Sequence, residues 1–259
     1  MLQKKLTLFA YLPDCDGYRV RFFPLATILF STMKDDSQPI PCWTPSRTFL
    51  KGTQINGYLA WLKQRRGLVF EEYGDLWRWS VHEIEAFWES LWEYFDILAD
   101  GRYDAVLSSR DMPGAKWFSG TSLNYAEHIF RAASSQRPAL LFRSERSGEV
   151  QELSWEELRQ KTAAFAAWLK LQGVGPGDRV VGYLPAIPEA TLAFLACSSI
   201  GAVWSCCSPD FGANSVMDRF QQIAPRILIA ADGYTYGGKA FDRLDVVQDL
   251  CASLGSLEH

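Results

Sequence analysis

Three short apolar runs constrain this chain more than any other feature. RVVGYL at 179–184, AVWSCC at 202–207 and ILIA at 227–230 have the length and composition of strands, and helix-length segments at 189–199 and 215–222 separate them. Strands that alternate with helices predict an α/β unit built on a parallel sheet with flanking helices. The pattern starts at Pro138 with a variation: ALLFR (139–143) and EVQEL (149–153) flank the turn-forming SERSG, which predicts a hairpin. Leu153 and Leu158 then bracket Ser154 and Glu157, a hydrophobic staple around a capping box, so a helix starts there and runs to Gly173. The segment from Phe241 is read as one more helix. No strand follows it in this sequence, so a fragment is expected, with an open strand edge that favours self-association.

Upstream of Gln136 aromatic residues dominate. SVHEIEAFWESLWEYF predicts a helix opened by a capping box of Ser80 and Glu83, with Val81, Ile84, Trp88, Leu91 and Phe95 as its packing face. Residues 33–57, which include PIPCWTPSR, predict an extended, turn-rich lead-in. The opening MLQKKLTLFAYLPD has the basic-then-apolar order of a signal peptide, but Pro13 and Asp14 cut the apolar run and no small-residue cleavage site follows. Residues 1–32 are therefore read as an extension outside the fold, with Met33 as an alternative start. The predicted organisation is this extension, a mainly helical N-terminal region over 33–136 and an α/β part over 137–259.

A net charge of -4 leaves no broad basic field, which argues against nucleic acid or an anionic membrane as the main partner. No apolar stretch reaches the roughly 20 residues that span a bilayer. Cys15, Cys42, Cys197, Cys206, Cys207 and Cys251 show no C-x-x-C spacing, and His82, His128 and His259 are scattered, so neither a zinc site nor a redox pair is indicated. A cytoplasmic setting is expected, with Cys206 and Cys207 as small buried thiols.

Two stretches imitate phosphate loops. The glycines of GVGPGD precede a strand, whereas a phosphate cradle follows one, so they are read as a loop entering 179–184. Gly233, Gly238 and Lys239 satisfy G-x-x-x-x-G-K, but Ala240 stands where a hydroxyl would hold magnesium, and two tyrosines would crowd a loop wrapped round phosphates. No G-x-G-x-x-G follows a strand and no Ser, His and Asp set sits at an elbow, leaving an oxidoreductase or hydrolase without a motif. Ser208, Pro209 and Asp210 at a strand's carboxyl end suit either a ligand contact or an ordinary turn. Asp218 and Arg219 are read as a solvated or packing pair.

Four segments carry a wider likeness: DLWRWSVHEIEAFWESLWEYFDI, MPGAKWFSGTSLNYAEHIF, GVGPGDRVVGYLPAIPEA and SSIGAVWSCCSPDFGANSVMDRFQQIAPRILIAADGYTYGGK. In order and spacing, from Trp43 onward, the chain resembles the N-terminal part of the acyl-CoA synthetases of the adenylate-forming superfamily, and WSCCSPDFG is nearest to the branch that uses acetoacetate. The resemblance implies an incomplete N-terminal portion of the adenylate-forming fold, preceded by a mainly helical region. It also implies a two-step reaction: a carboxylate attacks the α-phosphate of ATP to give acyl-AMP and pyrophosphate, then the CoA thiol displaces AMP. ATP, Mg2+ and CoA are the implied cofactors and small-molecule partners, and the remainder of the enzyme is a further one.

That family's Ser/Thr/Gly-rich phosphate loop has no counterpart in this sequence, so no catalytic residue is assigned and little activity is expected of these residues alone. One family site does map here. An R-G-G-R/K stretch that contacts the phosphates of CoA corresponds to Tyr236, Gly237, Gly238 and Lys239. Two glycines let backbone N–H groups approach an anion and a lysine adds a mobile charge. Tyr236 in place of the first basic residue removes one cation. The alternatives are a surface turn with a solvated lysine, a non-catalytic CoA-binding or interaction module, and a segment of an acetyl- or propionyl-CoA synthetase.

Overall fold

The computed structural model describes residues 42–259, which fall into two units, residues 42–52 and Thr53–His259. The readings of 1–32 and of the lead-in up to residue 41 lie outside the described residues. In the first unit, α1 (Arg47–Lys51) is capped by Ser46, whose hydroxyl accepts the Phe49 N–H at 3.1 Å. In the second, α2 (Gln54–Arg66) is capped by Thr53, whose hydroxyl accepts the Asn56 N–H at 3.4 Å. The first helix and the opening turn of the second lie in the stretch expected to be extended, residues 33–57. The sequence has no proline after Pro45 here, and two hydroxyl caps start helices whose apolar residues form no clean stripe, so periodicity gave no sign of them.

The single helix predicted from Ser80 is two: α3 (Tyr73–His82) and α4 (Ile84–Tyr94), broken at Glu83. Ser80 lies inside α3 and donates to the Trp77 carbonyl at 2.8 Å, so it caps nothing. The helix had already started upstream in YGDLWRW and runs through it. Phe87, Leu91 and Tyr94 of α4 pack around Tyr58, Leu62 and Leu76, whereas Val81, Trp88 and Phe95 of the predicted packing face stay exposed. A second surface of α4 meets an antiparallel ribbon of β1 (Asp100–Leu107) and β2 (Trp117–Ser122): Trp92 stacks on Phe118 at 4.3 Å between ring centres, and Trp88 meets Trp117 at 5.4 Å. Next, α5 (Tyr125–Phe130) is capped by Asn124, whose side-chain amide also donates to the Ser199 carbonyl at 3.0 Å.

The predicted hairpin forms from β3 (Leu140–Arg143) and β4 (Val150–Leu153). The capping box opens α6 (Trp155–Leu171): the Ser154 hydroxyl accepts the Glu157 N–H at 3.2 Å and the Glu157 carboxylate accepts the Ser154 N–H at 2.9 Å. Then β5 (Arg179–Tyr183), α7 (Pro188–Ser199), β6 (Val203–Cys207), α8 (Ala213–Gln221) and β7 (Ile227–Ala230) reproduce the alternation. The three strands are parallel in the order β6-β5-β7. Val180 and Val181 are neighbours on β5 and both 0% exposed, because each face of the sheet is covered. Leu169, Ala196 and Ile200 pack on one face; Val216, Phe220 and Leu250 pack on the other. Double coverage is why RVVGYL reads as a continuous apolar run and not as an alternating one.

Several expectations change at this level. Cys207 is buried but Cys206 is exposed, since successive strand residues face opposite ways and β6 lies at the edge of the sheet. Among the described residues no ion pair joins Asp218 to Arg219; consecutive helical residues do not face each other, and the Arg219 guanidinium lies 5.0 Å from the Phe211 ring. The segment read as a helix from Phe241 first makes a second hairpin, β8 (Gly233–Tyr236) with β9 (Lys239–Asp242), and the helix α9 (Leu244–Ser253) starts afterwards. The start of β7 is not an open edge: Leu228 N–H donates to the His259 carbonyl at 3.1 Å and Glu258 N–H to the Arg226 carbonyl at 2.8 Å.

The loop GVGPGD holds an internal carboxylate. Gly175 N–H donates to Asp178 at 2.9 Å, and Arg226 bridges Asp178 at 2.9 Å and Glu258 at 2.6 Å. The Gly175 N–H, then Arg226, hold the Asp178 carboxyl below its ordinary range, and Arg226 does the same for Glu258. Carboxylates depressed in the fold add stability that is complete above their unfolded values, about 4, and is lost as pH falls through the lower folded values. The melting temperature is therefore expected to drop below about pH 4. Arg226→Leu is expected to lower it at neutral pH and to flatten this acid limb, which melts recorded between pH 2.5 and 7 would check.

Candidate functional site

A cavity of about 1030 Å³ opens at the carboxyl ends of the parallel strands. Pro185 after β5, Ser208 and Asp210 after β6, and Asp232 after β7 border it, together with the β3–β4 turn and the β8–β9 hairpin. Open α/β sheets bind ligands at this end, beyond the strand termini.

Arg243 ties the second hairpin to the sheet. Its Nε donates to the Pro209 carbonyl at 2.7 Å and an Nη to the Tyr234 hydroxyl at 3.1 Å, and its guanidinium lies 5.1 Å from the Tyr234 ring. The same Pro209 carbonyl accepts the Tyr183 hydroxyl at 2.9 Å, so one backbone oxygen joins β5, the loop after β6 and the hairpin. Nothing local in the sequence signals this role, because Pro209 and Tyr234 are brought to Arg243 by tertiary packing and not by spacing.

Tyr236 ends β8, Lys239 opens β9, and the two residues pair across the turn. Gly237 and Gly238 have φ of 58° and 74°, the two left-handed residues that a two-residue primed turn demands. A Cβ at either would meet nothing within 4 Å, so backbone conformation alone selects glycine there. Gly233 is glycine for another reason: a Cβ would sit 2.4 Å from the Phe241 carbonyl oxygen across the hairpin. The residues of G-x-x-x-x-G-K thus lie on two antiparallel strands and their turn. That is not the strand, loop and helix of a nucleotide P-loop.

The two turn N–H groups converge on one carboxylate. Gly237 N–H donates to Glu145 Oε1 at 3.1 Å and Gly238 N–H to Oε2 at 2.9 Å. These bonds, the one from Gly238 first, hold the Glu145 carboxyl below its usual range. The turn therefore receives an anion through two oxygens, the geometry that a phosphate also offers. Tyr236 and Lys239 are exposed on either side. Arg143 and Arg146 flank Glu145, line the cavity and make no ion pair among the described residues.

Other groups fall away. Burial pushes the Cys197 thiol up to about 12, which leaves it inert at neutral pH. Among the described residues no three His, Cys, Asp or Glu side chains gather as metal ligands. No helix among them is long and apolar enough to cross a membrane.

The family model of the AMP-binding enzymes matches residues 129–258, and that of the acetyl-coenzyme A synthetase N-terminus matches residues 73–129. The acetoacetyl-CoA synthetase of Macaca fascicularis is 40% identical over 220 residues, covering 83% of this chain and 32% of the relative. That of Rhizobium meliloti (strain 1021) is 38% identical over 216 residues, covering 83% and 33%. The solved structure of the acetoacetyl-CoA synthetase from Streptomyces lividans matches with a TM-score of 0.79 at 46% identity, over 85% of this chain and 34% of that one. The chain spans about a third of the length of the curated relatives it matches.

Proposed function

We propose, from the premise that this chain belongs to the AMP-binding enzyme family, that it is the N-terminal portion of an ATP-dependent acetoacetate–CoA ligase. The reaction is acetoacetate, ATP and CoA to acetoacetyl-CoA, AMP and pyrophosphate through an acyl-AMP intermediate, in the cytoplasm. The identity to acetoacetyl-CoA synthetases supports the choice of acid. Within the enzyme we assign residues 33–136 to an N-terminal region and 137–259 to the first part of the adenylate-forming domain.

This portion's own task, on our reading, is to hold CoA. The observation that carries it is the pair of Gly237 and Gly238 N–H groups closing on a two-oxygen anion, with the exposed Lys239 next in the chain. Phosphate in that position takes both N–H bonds and the lysine charge, all three charge-assisted. Tyr236 cannot add charge, so Lys239 carries more of the grip. Calorimetric titration with CoA is the test. Wild type is expected to bind, and Lys239→Ala to bind about tenfold more weakly, as loss of one hydrogen bond to a charged group implies. Equal binding by the two would remove Lys239 from the site.

A further inference from the structure

Glu145 holds no CoA on the reading above, yet its carboxylate occupies the two N–H groups which that reading assigns to phosphate. It lies 92 residues before Gly237 in the chain, in the turn between β3 and β4, and spends both carboxylate oxygens on the Gly237 and Gly238 N–H groups. No local sequence pattern requires this contact. The glycines need no partner to hold their turn, whose φ values and cross-strand pairing are set within the hairpin. The carboxylate is also exposed, at the rim of the cavity, and not locked in a core. An exposed ion that makes two backbone bonds and no ion pair among the described residues can leave at small cost, because water and a nearby cation receive it.

We propose that Glu145 is an internal anion plug: in the free protein its carboxylate fills the Gly237–Gly238 turn, and a phosphate group binds there by displacing it. The inference deepens the CoA reading and rests on it for the identity of the phosphate. Displacement has two consequences. The apparent affinity for phosphate falls by the fraction of time the turn is plugged. The site also stays organised when empty, because neither N–H group is left without a partner. Once Glu145 has moved, Arg143 at the end of β3 and Arg146 on the turn remain at the cavity rim, neither in an ion pair among the described residues, which favours a polyanion over a single carboxylate.

The test uses the full chain, with inorganic pyrophosphate followed by the amide signals of Gly237 and Gly238 in proton–nitrogen NMR, and CoA followed by calorimetry. Glu145→Ala is expected to bind pyrophosphate about three- to tenfold more tightly than wild type, the range given by a turn plugged most of the time. Glu145→Gln, neutral but still able to accept one bond, is expected between the two. Melting curves identify a variant that has lost its fold, and Glu145→Gln, nearly the same shape, then decides. Unchanged or weaker pyrophosphate binding in a folded variant overturns the plug. If pyrophosphate binding tightens as expected but CoA binds neither form, the plug stands and the CoA reading falls. If CoA binds wild type and Glu145→Ala equally, the plug falls and the CoA reading stands.

Discussion

Phe220→Ala is expected to destabilise the second unit by about 3–5 kcal/mol, the usual range for emptying a buried aromatic site. For a unit of this size that is a fall in melting temperature on the order of 10 °C. Phe220 is 0% exposed and sits on α8 among Val181, Tyr183, Cys207, Val216, Leu250 and Leu254. It therefore joins the central strand to both helices on that face. The cavity it would leave is bordered by the rigid sheet on one side, so the surroundings cannot collapse to fill it. Ser215→Ala, exposed on the same helix, is expected to stay within about 0.5 kcal/mol. Urea melts of the two variants would check this, and equal midpoints would mean that α8 does not pack as described. The loss also reaches the site, since α9 carries Leu250 and begins two residues after the hairpin ends.

How far the sequence foretells these features depends on how local their causes are. The strand β5 is legible because burial on both faces writes itself as an unbroken apolar run, and β6 and β7, only partly covered, still carry short apolar runs. The start of α6 was legible because Ser154, Glu157, Leu153 and Leu158 are neighbours that act within one turn. The break at Glu83 was not, because a helix already running through YGDLWRW overrides the capping signal at Ser80. The β8–β9 hairpin was half legible. Its paired glycines were seen as a turn that exposes N–H groups, but the G-x-x-x-x-G-K spacing and the apolar period after Phe241 drew the reading towards a loop and helix. Arg243 and Glu145 left no trace, because each acts on partners that only the folded chain brings near: Arg243 on Pro209, Glu145 on the glycine turn 92 residues away. The surroundings of the site are thus tertiary, while its glycines and lysine are sequence-local.

The second large effect is an appearance of activity. These 259 residues contain no Ser/Thr/Gly-rich phosphate loop, so alone they are expected to release no pyrophosphate from ATP with acetoacetate and CoA. Phosphoryl and acyl activation depends on preorganised charges around the phosphates, and without them no activation is expected. Joining it to the part of the Streptomyces lividans enzyme that it does not cover, roughly two thirds of that protein, would supply them.

The most direct measurement is therefore pyrophosphate release by that fusion, set against the chain alone, with acetoacetate or acetate as the acid. The account predicts turnover by the fusion with acetoacetate, much less with acetate, none by the chain alone, and a raised KM for CoA in the fusion carrying Lys239→Ala. A folded fusion that stays inactive, one that prefers acetate, or turnover by the chain alone would contradict it.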